Sequence, residues 1–328
     1  MKWVTGQNIH EAIHHRERRG AGVICAVLLS FCCTVHFALW PNVSLGETNV
    51  QARCRYKLLF YIEGPLKLPS DVAIGPMGWI YVLDGTQDLV RVYNKKGAHI
   101  YDLGGHKLLN MPLGLSVSHS GEVIVADSGN HRIAIFPPGL NEPSYINVPS
   151  PPGGRPSDPT DAILAPDGRS LIVVDNDNHC VVSLDKQGGV RWATGTMGRA
   201  VEEFRFPFLM DMDKQGLIYV VEVINTRVQV LDQGGHYVRF IGGWGIDPGR
   251  FFRPKGIAVN DDGHVYVSDS YVGVVQVFDK EGDFVGVVSR KNGAIWRFKT
   301  PVGLAVRGKE LFVVEMILNR VSVLRAID

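Results

Sequence analysis

Six prolines, Pro69, Pro112, Pro159, Pro207, Pro254 and Pro301, stand 43 to 48 residues apart, and each opens a segment built to one plan. The openings read LPSDVAI, MPLGLSV, DPTDAIL, FPFLMDM, RPKGIAV and TPVGLAV. A turn follows (PMG, HSG, PDG, KQG, DDG and, last, RGK), and then an apolar run closed by an acid: IYVLD, VIVAD, LIVVD, IYVVE, VYVSD and LFVVE. A third run comes next, LVRVY, RIAIF, CVVSL, RVQVL, VVQVF and RVSVL. So regular a period marks small units that share one continuous core, which overrides the usual reading of 328 residues as about two domains.

Short runs rich in Val and Ile, cut by Gly turns, read as antiparallel strands, and no stretch of the repeat region sustains a helical period. Sheets of four strands recurring at this spacing define the expected fold class: all-β, a six-bladed β-propeller of four-stranded antiparallel blades. The sixth unit holds three runs before Asp328, whereas YKLLFYIEG precedes the first proline. Residues 56–62 are therefore expected to supply the outer strand of the last blade, beside 320–325, and so to cover an otherwise unpaired edge.

Ahead of the repeats, residues 21–40 carry no Lys, Arg, Asp or Glu. A helix of that length spans roughly 30 Å, about a bilayer core. Arg16, Arg18 and Arg19 precede it, and no basic residue follows until Arg53, an asymmetry that places the N-terminus in the cytoplasm and the repeats outside it. The run is long for a signal peptide and lacks a clear small-residue cleavage site, so an uncleaved anchor is favoured over a cleaved signal and over a buried core helix. The expected organisation is a basic N-terminus (1–20), a transmembrane signal-anchor or signal peptide (21–40), a linker (41–55) and the propeller (56–328). Asn42-Val43-Ser44 fits a glycosylation sequon, relevant only in a eukaryotic secretory route.

Charge narrows the partners. The chain has 34 basic and 33 acidic residues, but seven Lys or Arg against three Glu fall within residues 1–57, leaving the remainder slightly acidic. That argues against a nucleic-acid partner. Of five cysteines only Cys180 lies within the repeats, and none has a spacing suited to a disulfide framework or a zinc site.

The segment GRFFRPKGIAV, GHVYVSD, VVQVFDKEG resembles the NHL repeat, and all six units resemble degenerate copies of it. The resemblance covers about residues 56–328 and implies the same propeller; as a guide to function it is weak, because such propellers serve as binding platforms, sensor ectodomains, RNA readers and enzymes. ADSGNHRIAIF matches the family's D-x-x-N-x-R segment through Asp127 and Arg132, echoed by Glu222 with Arg227 and Glu315 with Arg320. These acid–arginine pairs recur blade after blade and read as structural. Propeller lyases of the peptidylglycine type, which the chain also resembles in fold, place metal-binding His around the channel; here the residues after the opening prolines are Ser70, Leu113, Thr160, Phe208, Lys255 and Val302. Asp71 and Asp161 can point into the channel, where a lone pair of carboxylates holds water or an ion; His131 and His179 sit near Asp127, Asp175 and Asp177, where solvated or loop-stabilising roles fit better than ligation. No metal or cofactor is expected.

In a four-stranded meander the loop after the second strand lies on the same face as the connection to the next blade. Units two and three fill that loop with SGNH and NDNH, whereas units four to six carry VINT, SYVG and MILN. Ile224, Tyr271, Val272, Met316, Ile317 and Leu318, with Trp244 from a connection, are expected to form an apolar face for a protein partner. The same connection adds Phe251 and Phe252, which either join that face or, since they precede a strand, belong to the inter-blade core. The expectation is a membrane-tethered, non-enzymatic platform; the alternative is a metal-assisted lyase or lactonase at the channel mouth. PPGLNEPSYINVPSPPGGRPSDP, residues 137–159, reads as stiff surface loops around a short strand.

Overall fold

The computed structural model describes residues 54–327; the expectations placed on residues 1–53, the apolar run 21–40 among them, lie outside the described residues. Among the described residues no helix is long and apolar enough to cross a membrane.

Six antiparallel sheets succeed one another along the chain, forming a six-bladed β-propeller. Five are meanders of four consecutive strands within residues 71–104, 115–147, 159–194, 207–242 and 254–287. The sixth is built from Pro301–Arg307, Glu310–Glu315 and Arg320–Ala326, with Arg55–Ile62, the first of the described strands, outermost but for a two-residue strand, Ser289–Arg290. Arg55–Ile62 runs antiparallel to Arg320–Ala326, from Tyr56 opposite Ala326 to Ile62 opposite Val321, with an irregularity between Leu58 and Phe60.

The second strand of the first five blades is buried along its whole length, as in Ile80–Asp84 and Ile218–Glu222, and that of the sixth from Leu311 onward. Both its faces meet neighbouring blades, which is why these runs are continuously apolar rather than alternating. The core is accordingly a series of layers between blades: Ile172, Val174 and Val181 of the third pack with Met210, Ile218, Val220 and Leu231 of the fourth. Outer strands face solvent, and Val190–Thr194 is mostly exposed.

Around the axis, adjacent inner strands approach closely, and glycine decides where. A Cβ on Gly303 would lie 2.3 Å from Asp71 Oδ1, and one on Gly114 would lie 2.7 Å from Asp161 Oδ1. Each glycine thus clears space for an aspartate of the next blade. Those aspartates reach onward: Asp71 accepts the Leu115 N–H at 2.9 Å and Asp161 the Met210 N–H at 2.8 Å, while Asp211 accepts the Val259 N–H at 2.7 Å. Between the sixth and first blades, Gly303 N–H donates to Ser70 O at 3.2 Å.

Candidate functional site

The loops after the second strands and the connections between blades meet on one face, which we term the connecting face. Leu68 N–H, in the connection to the first blade, donates to Asn319 Oδ1 of the sixth-blade loop at 2.8 Å. Arg297, in the connection to the sixth blade, donates to Val272 O of the fifth-blade loop at 3.1 Å.

Beneath this face the acid ending each second strand holds the connection in place. Asp84, Asp127, Glu222, Asp269 and Glu315 accept the N–H two residues before the opening proline, from Lys67, Asn110, Arg205, Phe252 and Lys299. In the third blade Asp175 accepts from Asp158, one residue before it. The residue between donor and proline then turns: Leu68, Met111, Phe206 and Thr300 have φ of 50° to 52°, the left-handed region that costs a side-chain-bearing residue about 1 kcal/mol or more. Charge-assisted bonds to a buried carboxylate offset that strain. The structure brings together each acid–arginine pair read from the sequence: Arg132 Nε to Asp127 Oδ2 at 2.8 Å, Arg227 Nε to Glu222 Oε1 at 2.5 Å, and Arg320 Nε to Glu315 Oε1 at 2.9 Å. Burial pushes the Glu222 carboxyl above its ordinary value, and its bond to Arg227 opposes the shift.

On the connecting face the fourth to sixth blades are apolar. Trp244 is 75% exposed, Tyr271 49%, Ile317 47% and Leu318 42%. Ile224 and Val272 are half-buried, and Met316 is half-buried against the core layer between the sixth and first blades. Contacts between loops join several of these residues. Ile224 and Trp244 share a groove of about 410 Å³ with Arg199, Asn225, Thr226 and Arg227. Val272 lines a narrow crevice with Ile246 and Pro248, and Tyr271 packs on Phe252 with ring centroids 4.4 Å apart. Met316, Ile317 and Leu318 form a separate short 3-10 turn on the sixth blade. Phe251, by contrast, is fully buried. It lies under Gly242, where φ is +79° and a Cβ would stand 2.2 Å from its ring, so only glycine fits there. Ile246 and Arg199 escaped the sequence reading because they sit in irregular connections that no strand periodicity covers.

The channel aspartates are electrostatically distinct. Burial, then the nearby Asp161, holds the Asp71 carboxyl well above the ordinary carboxylate range. Burial also raises Asp161 to about 7, against two backbone N–H bonds, and Asp211 to about 6. A carboxyl whose folded pKa is raised binds its proton more tightly folded than unfolded, so the stability it adds is present at low pH and is lost as pH rises through the folded value. Thermal stability is expected to fall between about pH 4 and about pH 7, by about 3–4 kcal/mol for each of Asp161 and Asp211, given two to three units at ~1.4 kcal/mol per pKa unit. Melting scans of the wild type and Asp161→Asn check this; a pH slope identical in the two proteins would contradict it.

His131 and His179 do not converge. His131 Nδ1 lies 2.5 Å from Ser157 O, and His179 Nδ1 accepts the Phe206 N–H at 3.3 Å. Both have left-handed backbones, and each ring braces its loop against the following connection. Among the described residues no group of three or more His, Cys, Asp or Glu is placed to hold a metal ion.

Comparisons with known proteins follow the geometry. A family model of the NHL repeat matches residues 109–136 and 251–278, in the second and fifth units. No curated protein sequence matches the chain. Among solved structures, an inactive variant of virginiamycin B lyase from Staphylococcus aureus bound to quinupristin superposes with a TM-score of 0.57 at 13% identity, over 79% of this chain and 80% of that one. A gluconolactonase from Xanthomonas campestris gives 0.62 at 16%, over 81% and 88%. The PQQ-bound aldose sugar dehydrogenase of Streptomyces coelicolor gives 0.60 at 14%, over 83% and 98%. Likeness at such low identity establishes the shared fold and nothing about chemistry.

Proposed function

The chain carries NHL repeats in a six-bladed β-propeller, and from that premise we propose that it is a non-enzymatic platform that holds a protein partner on the connecting face of its fourth to sixth blades. One observation carries the reading: Trp244, Tyr271, Ile317 and Leu318 stand exposed on loops of successive blades, all on one face. Exposed apolar side chains concentrated in this way, with aromatic anchors, mark interaction surfaces. Rigidity supplies the mechanism, since loops tied down by buried carboxylates lose little entropy on binding. Residues 21–40 tether the platform to a membrane and display it outside the cytoplasm, a part of the proposal that rests on sequence alone. The first strand begins at the end opposite the connecting face, because Tyr56 pairs with Ala326 and Ile62 with Val321, beside the sixth-blade loop.

The test replaces Tyr271, Ile317 and Leu318 together by Ser in the full-length protein. Loss of the Tyr271–Phe252 contact costs about 0.5–1.5 kcal/mol, so the variant is expected to fold with a slightly lower melting point. A photocrosslinker placed at position 244 in native membranes is expected to give a discrete protein adduct with the parent chain and none with the Ser variant. Adducts that survive the substitutions, or a variant that no longer folds, would each sink the assignment of this face. The competing lyase or lactonase reading, which fold likeness alone suggests, would instead be signalled by stoichiometric metal in the purified protein.

A further inference from the structure

The groove beside Trp244 combines shape, rigidity and charge in a way that specifies what it takes. We propose that it accepts an acidic polypeptide segment, with one aromatic or branched side chain seated against Trp244 and Ile224 and flanking carboxylates meeting Arg199 and Arg250. The proposal rests on the platform reading and names the chemistry of its partner.

Shape comes first. The groove encloses about 410 Å³ between the third-to-fourth connection, which supplies Arg199, and Trp244 of the next connection. A concavity of that size takes a side chain, whereas a flat bilayer surface touches only its rim.

Rigidity comes second. Trp244 presents its indole to solvent, yet its backbone is pinned by a bridge to Phe251, whose N–H donates to Gly243 O at 2.7 Å and whose carbonyl accepts the Gly245 N–H at 3.0 Å. Phe251 itself is fully buried. The indole is therefore held out by a fixed loop and needs little ordering on binding.

Charge decides the partner. Arg227 is balanced by Glu222, and its Nη atoms are spent on the carbonyls of Arg199, Ala200 and Glu203. The Arg199 guanidinium, in contrast, has no hydrogen-bond or ion-pair partner among the described residues. Of the two acids that follow it, Glu202 is bonded to the Tyr237 N–H at 3.0 Å and Glu203 is turned to the Arg199 and Ala200 N–H groups at 2.8 and 2.9 Å. Past Trp244, the Arg250 side chain lies along the Gly243–Gly245 backbone, where a Cβ on Gly243 would be 2.7 Å from its Nη1. Among the described residues its only hydrogen bond through the guanidinium is a long one, 3.5 Å to Gly242 O. Asp247, the acid of this connection, lies in the Val272 crevice. Arg199 thus lines the groove with Trp244, Arg250 lies along the backbone of the glycines flanking Trp244, neither has an acid partner among the described residues, and guanidinium forks match carboxylates in geometry. The polar rim steers and selects while the apolar centre holds.

The probe is a fluorescent random copolymer of glutamate and tyrosine, added to the purified full-length chain, with a lysine–tyrosine copolymer and phosphatidylglycerol vesicles as comparators. The glutamate–tyrosine copolymer is expected to bind, more weakly as salt rises, and the lysine–tyrosine copolymer to bind at least tenfold more weakly. Arg199→Glu with Arg250→Glu is expected to reduce the first affinity at least tenfold, as is Trp244→Ala, with melting curves retained; Arg199→Gln with Arg250→Gln serves if charge reversal impairs folding, and is expected to reduce it severalfold. Equal binding of both copolymers, indifference to the arginine substitutions, or Trp244-dependent binding to vesicles alone would each overturn the proposal. If the acidic copolymer fails while the crosslink on the connecting face persists, the partner's acidity is wrong and the platform stands; if both fail, the platform falls as well.

Discussion

A chain lacking residues 54–63 is expected to lose its cooperative melting transition and to aggregate on purification. Arg55–Ile62 pairs with Arg320–Ala326 from Val321 to Ala326, where Val321, Val323 and Leu324 are fully buried. Removing it exposes a long apolar edge, the arrangement that recruits other chains. It also unfastens the fifth blade from the sixth, because Ser289 N–H and Oγ both donate to Cys54 O, at 2.9 and 3.1 Å, and the Tyr56 hydroxyl bonds that of Tyr266 at 3.1 Å. Tyr56 and Ile62 are themselves buried, so the deletion leaves cavities beside two core layers. Differential scanning calorimetry of the deleted chain beside the parent is the measurement. An unchanged transition would show that the other blades hold the domain without this strand.

Glu222→Ala is expected to cost about 3–5 kcal/mol, the loss typical of breaking one partner out of a buried ion pair. The Glu222 side chain is fully buried and that of Arg227 is 13% exposed, so the substitution strands a guanidinium that also stacks on Phe240, 3.7 Å from the ring centroid. It further removes the acceptor for the Arg205 N–H and for the Asn225 amide. Glu222→Gln keeps the shape and one acceptor, and is expected to cost about 1–3 kcal/mol. The check is the denaturant midpoint at constant slope, read alongside partner binding. If Glu222→Ala loses less than about 1 kcal/mol, the recurrent acid is not what holds the connections, and the rigidity invoked for the connecting face loses its basis.

Strands were legible because each is local. In the fourth unit IYVVE and RVQVL are delimited by a Gly turn and an acid, and they are the strands Ile218–Glu222 and Arg227–Leu231 without a residue's difference. The Glu222–Arg227 pair was legible for the same reason, since five positions of a tight hairpin leave the two ends side by side. The candidate site was only half legible. GWGIDPGRFF offers three aromatic residues in one glycine-rich stretch, and nothing in their spacing separates the exposed Trp244 from the buried Phe251. Nor does the local sequence announce that Arg199 stands beside Trp244, because the groove is assembled from two connections on either side of a blade.

Hydrophobic periodicity and turn residues therefore specified six sheets and their order, since those signals act over a few residues and need no partner. Which aspartate meets which glycine of the neighbouring blade, as with Asp71 and Gly303, and which arginines among the described residues have no acid partner were decided only once the blades stood side by side. Burial and electrostatic compensation are properties of neighbours in space, and a ring brings together residues that lie hundreds of positions apart along the chain.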